Sequence, residues 1–417
     1  MNKEIVKNYM AKANPWWGED FSFSSNYKER EVYKEIAKFI PTRQIIALTG
    51  LRRVGKTTIM LNVIKEKIQG GFPKKNIFYF SFDEFSDIRI MDIIDIYEGL
   101  IGKLNKSEKY LFIFDEVQKI RNWSEQIKVV YDLNLDVIKF IISGSESLFI
   151  RKKSKESLAG RIYEFRVNPV NFKEFLNFRN VKVDNLFLQR EEILNNFKLY
   201  LISNGFPEII FANEDECRKY IKEAVIDKIL FRDMVEVFDV KNIPLIKSIF
   251  DIIYNEPGQI ININELAKEL GFSRQLISTY LEYLEEAYLL KKLYNYSRNA
   301  RKTQRRLKKY YSTIVNPLLI KDNFPKVFEQ AIVINSNADY FWRDTFKNEV
   351  DIIKTDPLIA IEVKSGEIKA GNLTSLKKFI EKFKPKKAIV VSYETEKEID
   401  SIRVIPAWKW LLDGGYK

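Results

Sequence analysis

Two groups of residues in this chain have the types and spacing for phosphate chemistry. The first is Gly50-Leu51-Arg52-Arg53-Val54-Gly55-Lys56-Thr57, followed by Thr58. Its two glycines let backbone N–H groups turn inward around an anion, and a helix starting near Lys56 adds its positive dipole end. Lys56 is placed to reach the β- and γ-phosphates of a nucleotide, and the Thr57 hydroxyl to ligate Mg²⁺. The second group is Asp351 with Glu362 and Lys364. Two carboxylates there can hold Mg²⁺ as a Lewis acid on a phosphodiester, while the lysine holds or deprotonates a water.

The elements around each group are those the chemistry requires. The apolar run Ile45–Leu48 feeds the glycine loop and the amphipathic run Ile59–Ile64 leaves it, a strand–loop–helix. Further strands are expected at Ile77–Phe82, Tyr110–Phe114, Val137–Ser143 and Arg161–Val167, each apolar enough to be buried on both faces. Helical stretches between the earlier ones predict a three-layer αβα core around a parallel sheet. Two strands end in Asp-Glu: Asp83-Glu84 and Asp115-Glu116. The unbroken apolar run into Asp115 favours the second pair, as does the following strand, which ends in Ser143-Gly144-Ser145. Asp115 then holds Mg²⁺ through water, Glu116 orients and polarises the attacking water, and Ser143 and Ser145 sense the terminal phosphate.

Composition narrows the alternatives. With no histidine and only Cys217 as cysteine, an intrachain disulfide, a cysteine zinc cluster and Ser-His-Asp chemistry are excluded. No apolar run approaches a membrane helix, and the N-terminus lacks a signal-peptide pattern, so no membrane partner and a cytoplasmic location are expected. A net charge of +12 suits a polyanionic partner, nucleic acid first. Residues 1–43 read as a helical preamble whose Glu29–Phe39 stretch is amphipathic, and Trp16 and Trp17 suit burial better than stacking on a base.

Gly50-Leu51-Arg52-Arg53-Val54-Gly55-Lys56-Thr57, Asp115-Glu116, Gly144-Ser145 and Gly160-Arg161 together resemble the AAA-type ATPases common in archaea. In these an ATPase core is joined to a helical lid, a winged helix and a restriction-endonuclease-like domain. The resemblance implies ATP as cofactor with Mg²⁺. It also implies a role for Arg161 at the nucleotide, in cis or in trans within a homo-oligomer, with Arg151 and Arg166 as rivals. The implied division is 1–167 for the preamble and P-loop core, 168–240 for the lid, 241–313 for the winged helix-turn-helix and 314–417 for the nuclease-like α/β domain.

Within 241–313, Asn262–Leu270, the turn Gly271-Phe272-Ser273 and a second helix follow the helix-turn-helix order, which leaves Arg274 and Gln275 outward for a DNA groove. From Lys291 to Lys309 there are nine Lys or Arg and no acid, placing Arg298, Arg301, Lys302, Arg305 and Arg306 around a hairpin tip to meet phosphates. The Asp351…Glu362-Val363-Lys364 spacing resembles the PD-(D/E)xK nucleases, whose additional helix acid would be Glu329. The resulting expectation is a DNA-binding ATPase with a Mg²⁺-dependent nuclease domain, acting on double-stranded or branched DNA in repair, mobile-element biology or defence. The rival is a regulatory ATPase whose last domain is inert and whose winged helix binds protein.

Overall fold

The computed structural model describes residues 3–18, 21, 27–85, 87–145, 157–186, 188–299, 301, 303 and 307–414. The chain folds as two compact units, Met1–Pro169 and Val170–Lys417.

The first unit is built on five parallel strands: β1 (Ile45–Thr49), β2 (Ile77–Ser81), β3 (Tyr110–Asp115), β4 (Ile138–Gly144) and β5 (Ile162–Arg166), in the order β2-β3-β4-β1-β5. Alternation along each strand sends Ala47, Phe112, Phe114, Phe140 and Ile142 into a core with the helices Lys3–Ala13, Ile90–Ile101 and Trp123–Leu133. Ile46, Leu48, Leu111, Ile113 and Ile141 are equally buried, and the helix Lys56–Gln69 touches β4. β5 departs from the expectation of burial on both faces. As an edge strand it exposes Tyr163, Glu164 and Arg166.

The N-terminal preamble is fastened to this sheet by polar contacts. Both Trp16 and Trp17 donate their indole N–H groups to the Ile77 carbonyl, and Trp16 is buried. The helix Glu31–Phe39 buries Tyr33 and Ile36. Beyond its C-terminus, Lys139 of β4 donates to the carbonyls of Phe39 (3.1 Å), Thr42 (2.7 Å) and Gln44 (2.5 Å). Burial pushes the Lys139 ammonium down to about 8.

The second unit carries a nine-stranded mixed sheet. Its strands are β6 (Gln259–Ile261), β7 (Leu290–Asn295), β8 (Lys308–Ser312), β9 (Tyr340–Arg343), β10 (Glu349–Thr355), β11 (Leu358–Lys364), β12 (Lys387–Ser392), β13 (Lys397–Ile399) and β14 (Ile402–Pro406). They lie in the order β13-β14-β12-β11-β10-β9-β7-β8-β6. The segments expected as winged helix and nuclease-like domain therefore share one sheet, and side chains of the expected lid join its core. Phe172, Phe175, Phe197 and Tyr200, from the expected lid, pack with Phe328, Val363, Trp408 and Trp410. Sequence alone gives no warning of this fusion, because the pair that joins the hairpin to the rest, β7 with β9, spans only Tyr294↔Tyr340 and Asn295↔Phe341.

The expected helix-turn-helix segment consists of the helices Ile263–Leu270 and Arg274–Glu286 around Gly271, whose φ of +74° suits a residue without a side chain. Ser273 caps the second helix by accepting the Leu276 N–H at 3.2 Å. Among the described residues no helix is long and apolar enough to cross a membrane.

Lys139 holds three carbonyls at once, so its loss leaves acceptors without a donor in a closely packed corner. Lys139→Met is expected to lower unfolding stability by about 2 kcal/mol, measured by urea denaturation.

Candidate nucleotide site and the second acidic cluster

The glycine loop follows the C-terminal end of β1. At Gly50 φ is +139°, and a Cβ there would stand 2.1 Å from the Val167 carbonyl oxygen, so only glycine fits. Gly55, in the left-handed region, is the N-cap of the helix Lys56–Gln69. The buried Lys56 ammonium donates to the carbonyls of Gly50 and Leu51, at 2.9 Å each. Leu51 and Val54 anchor the loop in the core, while Arg53 and Thr58 face solvent and Arg52 is half-buried.

The strand ends bring Asp115, Glu116, Ser143 and Ser145 to the same place. Asp115 accepts from the Thr57 hydroxyl at 2.7 Å, from the Tyr79 phenol at 3.0 Å and from Ser143. Burial, aided by neighbouring Glu116, raises the Asp115 carboxyl above its usual range. Burial also pushes Glu116 up, but the Lys56 ammonium, the Arg52 guanidinium and the Gln118 amide bring it below the usual carboxylate range. Mg²⁺ fits this donor set: Thr57 and Asp115 present converging hard oxygens beside the lysine. Asp83 is instead paired with the buried ammonium of Lys119, at 4.0 Å.

Three residues here escaped the sequence reading. Arg30 donates from one guanidinium nitrogen to the Val54 carbonyl (2.9 Å) and from another to the Asn168 carbonyl (2.8 Å), strapping the loop from outside the motif. Tyr79 reaches Asp115 from the neighbouring strand. Gln118 donates to Glu116 and, at 3.1 Å, to Ser145. Only the Gln118 spacing, two residues beyond Glu116, left a trace in the motif.

Arg161 is corrected. β5 runs parallel to β1 with Ile162 opposite Ile45, so Arg161 lies at the end of the sheet away from the loop, about 17 Å along the strand at ~3.3 Å per residue. There it pairs with Asp132 at 2.9 Å and cannot serve the nucleotide of its own chain. Arg166 stands opposite Thr49, at the loop end of β5, and Arg151 lies outside the described residues.

In the second unit β10 and β11 form an antiparallel pair, with Ile352 opposite Ile361, across the turn at Asp356-Pro357. This brings Asp351 and Glu362 into direct electrostatic contact, with Glu329 alongside from the helix Phe324–Ser336. Lys364 pairs with Glu362 at 2.7 Å, and Asp351 accepts the Val363 N–H at 2.8 Å. The expected metal site is nevertheless corrected. The Lys309 ammonium sits 2.7 Å from both Glu329 and Glu349 and 4.0 Å from Asp351. Among the described residues no three acidic groups are arranged to hold a metal ion. The cluster as it stands does not fit Mg²⁺.

Three cations of the basic run, Lys291, Lys292 and Arg298, are engaged within the protein. Lys291 pairs with Asp339, Lys292 with Glu285, and Arg298 donates to the Phe383 carbonyl at 3.0 Å while lying over its ring. Arg274, Gln275 and Arg301 are exposed. Lys302, Arg305 and Arg306 lie outside the described residues.

Comparison with known proteins places this geometry. Residues 42–176 match an AAA domain family, residues 194–313 a domain of unknown function (DUF8612) and residues 326–410 a second one (DUF4143). The first match supports a P-loop AAA-type ATPase domain over those residues. An uncharacterized protein of Methanocaldococcus jannaschii is 33% identical over 270 residues, which cover 62% of this chain and 58% of that one. An uncharacterized protein of Haemophilus influenzae is 26% identical over 407 residues, covering 92% of this chain and 98% of its own. A third, from Mycobacterium tuberculosis, is 24% identical over 343 residues, 78% of this chain and 70% of that one.

A carboxylate can only accept, so the Gln118 amide must turn its NH₂ toward Glu116. Removing it frees Glu116 from a fixed orientation without touching the loop. Gln118→Ala is expected to lower kcat for ATP hydrolysis by about tenfold or more while leaving KM within about twofold, as read by steady-state phosphate release.

Proposed function

We propose that this protein is a Mg²⁺-dependent ATP hydrolase that engages DNA through its second unit. The observation that carries the reading is the convergence of Lys56, Thr57, Asp115 and Glu116 at the end of β1 and β3. The loop amides and Lys56 bind the β- and γ-phosphates, for which the lysine exchanges its two carbonyl partners for charge-assisted ones. Thr57 and Asp115 would hold Mg²⁺, which would supply charge neutralisation on the phosphates. Glu116, kept ionised by Lys56 and Arg52, polarises the attacking water; Gln118 fixes that carboxylate, and Ser143 fixes Asp115.

The DNA part rests on the net charge of +12 and on Arg274 and Gln275, exposed in the first turn of a Ser-capped helix. A nuclease step, which the Asp351, Glu362 and Lys364 spacing suggests, is not part of this reading, because ammonium groups already fill the carboxylate cluster. That same feature favours the second reading, a regulatory ATPase with an inert last domain.

Two experiments test the proposal. Lys56→Ala should abolish tight ATP binding, whereas Glu116→Gln should bind ATP and stop turnover; unchanged hydrolysis by Glu116→Gln would sink the assignment. Duplex DNA binding, followed by fluorescence anisotropy across a salt series, should weaken in Arg274→Ala/Arg301→Ala. The slope of log affinity against log salt should flatten by roughly 0.9 for each phosphate that the variant no longer neutralises. Absence of duplex binding by the intact protein leaves the regulatory reading standing.

A further inference from the structure

The cluster around Lys309 is built as a closed charge assembly. Glu329, Glu349, Asp351 and Glu362 supply four carboxylates, and Lys309, Lys364 and Arg343 three cations, with Arg343 3.2 Å from Glu349. Lys309 is 4% exposed, and the Tyr311 phenol donates to the same Glu329 oxygen that Lys309 holds, at 2.6 Å. The Tyr311 and Phe341 rings flank the ammonium at 5.5 and 6.0 Å. Backbone pairing on both sides fixes its strand, with Lys309 opposite Leu293 of β7 and Ile260 of β6. The ammonium therefore cannot swing clear without moving β8. One oxygen of the buried Glu362 has no hydrogen-bond partner.

We infer that the Lys309 ammonium is the resident cation of this cluster, occupying the place a divalent metal ion would take, and that its removal creates a site for Mn²⁺ or Mg²⁺. A hard divalent ion bound by Glu329, Glu349, Asp351 and the unpartnered oxygen of Glu362 would take the place of the ammonium, about 2.0–2.6 Å from each ligand. Two cations cannot share that point. Burial alone would push Lys309 down, but Tyr311 and the carboxylates Glu329, Asp351 and Glu349 hold it well above the usual lysine range, so the ammonium stays charged. Burial, with Glu329 and Glu362 beside it, pushes the Asp351 carboxyl well above the usual carboxylate range. Lys309 lies in the segment whose charge pattern reads as a DNA-facing wing, yet it points into the protein.

The test uses the full-length chain without nucleotide, in four forms: wild type, Glu362→Gln, Lys309→Met, and Lys309→Met/Glu362→Gln. Each is titrated with Mn²⁺, and the free ion is read by its EPR signal. Lys309→Met is expected to take up one ion per chain at least about tenfold more tightly than the other three forms. Its melting temperature should rise with Mn²⁺ while that of wild type does not. Wild-type protein that binds an ion which Glu362→Gln removes overturns the inference. So does a folded Lys309→Met that gains no site. Where Lys309→Met does not fold, Lys309→Gln takes its place, and the wild-type arm decides independently of both. Ion uptake depends on neither ATP turnover nor DNA binding, so failure here is separate from failure of the proposed function.

Discussion

A bare Cα at position 50 is the constraint on which the first unit depends. The chain leaves β1 so close to β5 that the Val167 carbonyl fills the space any side chain would need, while the Val167 N–H closes onto the Thr49 carbonyl at 2.7 Å. That approach sets where the loop begins, and therefore where Lys56 and Thr57 meet the end of β3. Packing then makes the position rigid: Leu51 and Val54 are buried, and Arg30, from a helix boundary well before the motif, clamps the loop through the Val54 carbonyl. A phosphate cradle works through fixed dipoles, so immobility here is part of the chemistry rather than only of the fold.

The first unit was legible because its signals are local. Five strands with apolar runs, a glycine loop and two Asp-Glu strand ends each declare themselves within about ten residues, and the parallel sheet follows from alternation with helices. What stayed hidden required interactions across long separations. Arg30 meets Val54, Tyr79 meets Asp115, and Lys139 meets three carbonyls near residue 40. No periodicity marks any of them. Arg161 misled for a related reason: a Gly-Arg pair marks a place in a motif, but the direction of β5 decides which end of the sheet it occupies.

The second unit shows how charge counted along a chain differs from charge presented to solvent. Nine cations without an acid between residues 291 and 309 suggest a surface for polyanions. Folding supplies the missing acids from elsewhere, Glu285 to Lys292, Asp339 to Lys291, and Glu329 and Glu349 to Lys309. Desolvating an ammonium is costly, so each buried lysine in such a run needs a carboxylate brought to it by topology. The sheet that unites β7 with β9 brings Asp339, Glu329 and Glu349, while Glu285 comes from the helix just before β7.

That union limits how the chain can be taken apart. Cutting near residue 314, where the family resemblance implies a boundary, would open the edges of β7 and β9 and leave four clustered carboxylates without Lys309. The C-terminal hundred residues are thus not a portable module that evolution could graft onto another ATPase unchanged. They inherit their internal charge balance from the hairpin before them, and the two segments must travel and diverge together.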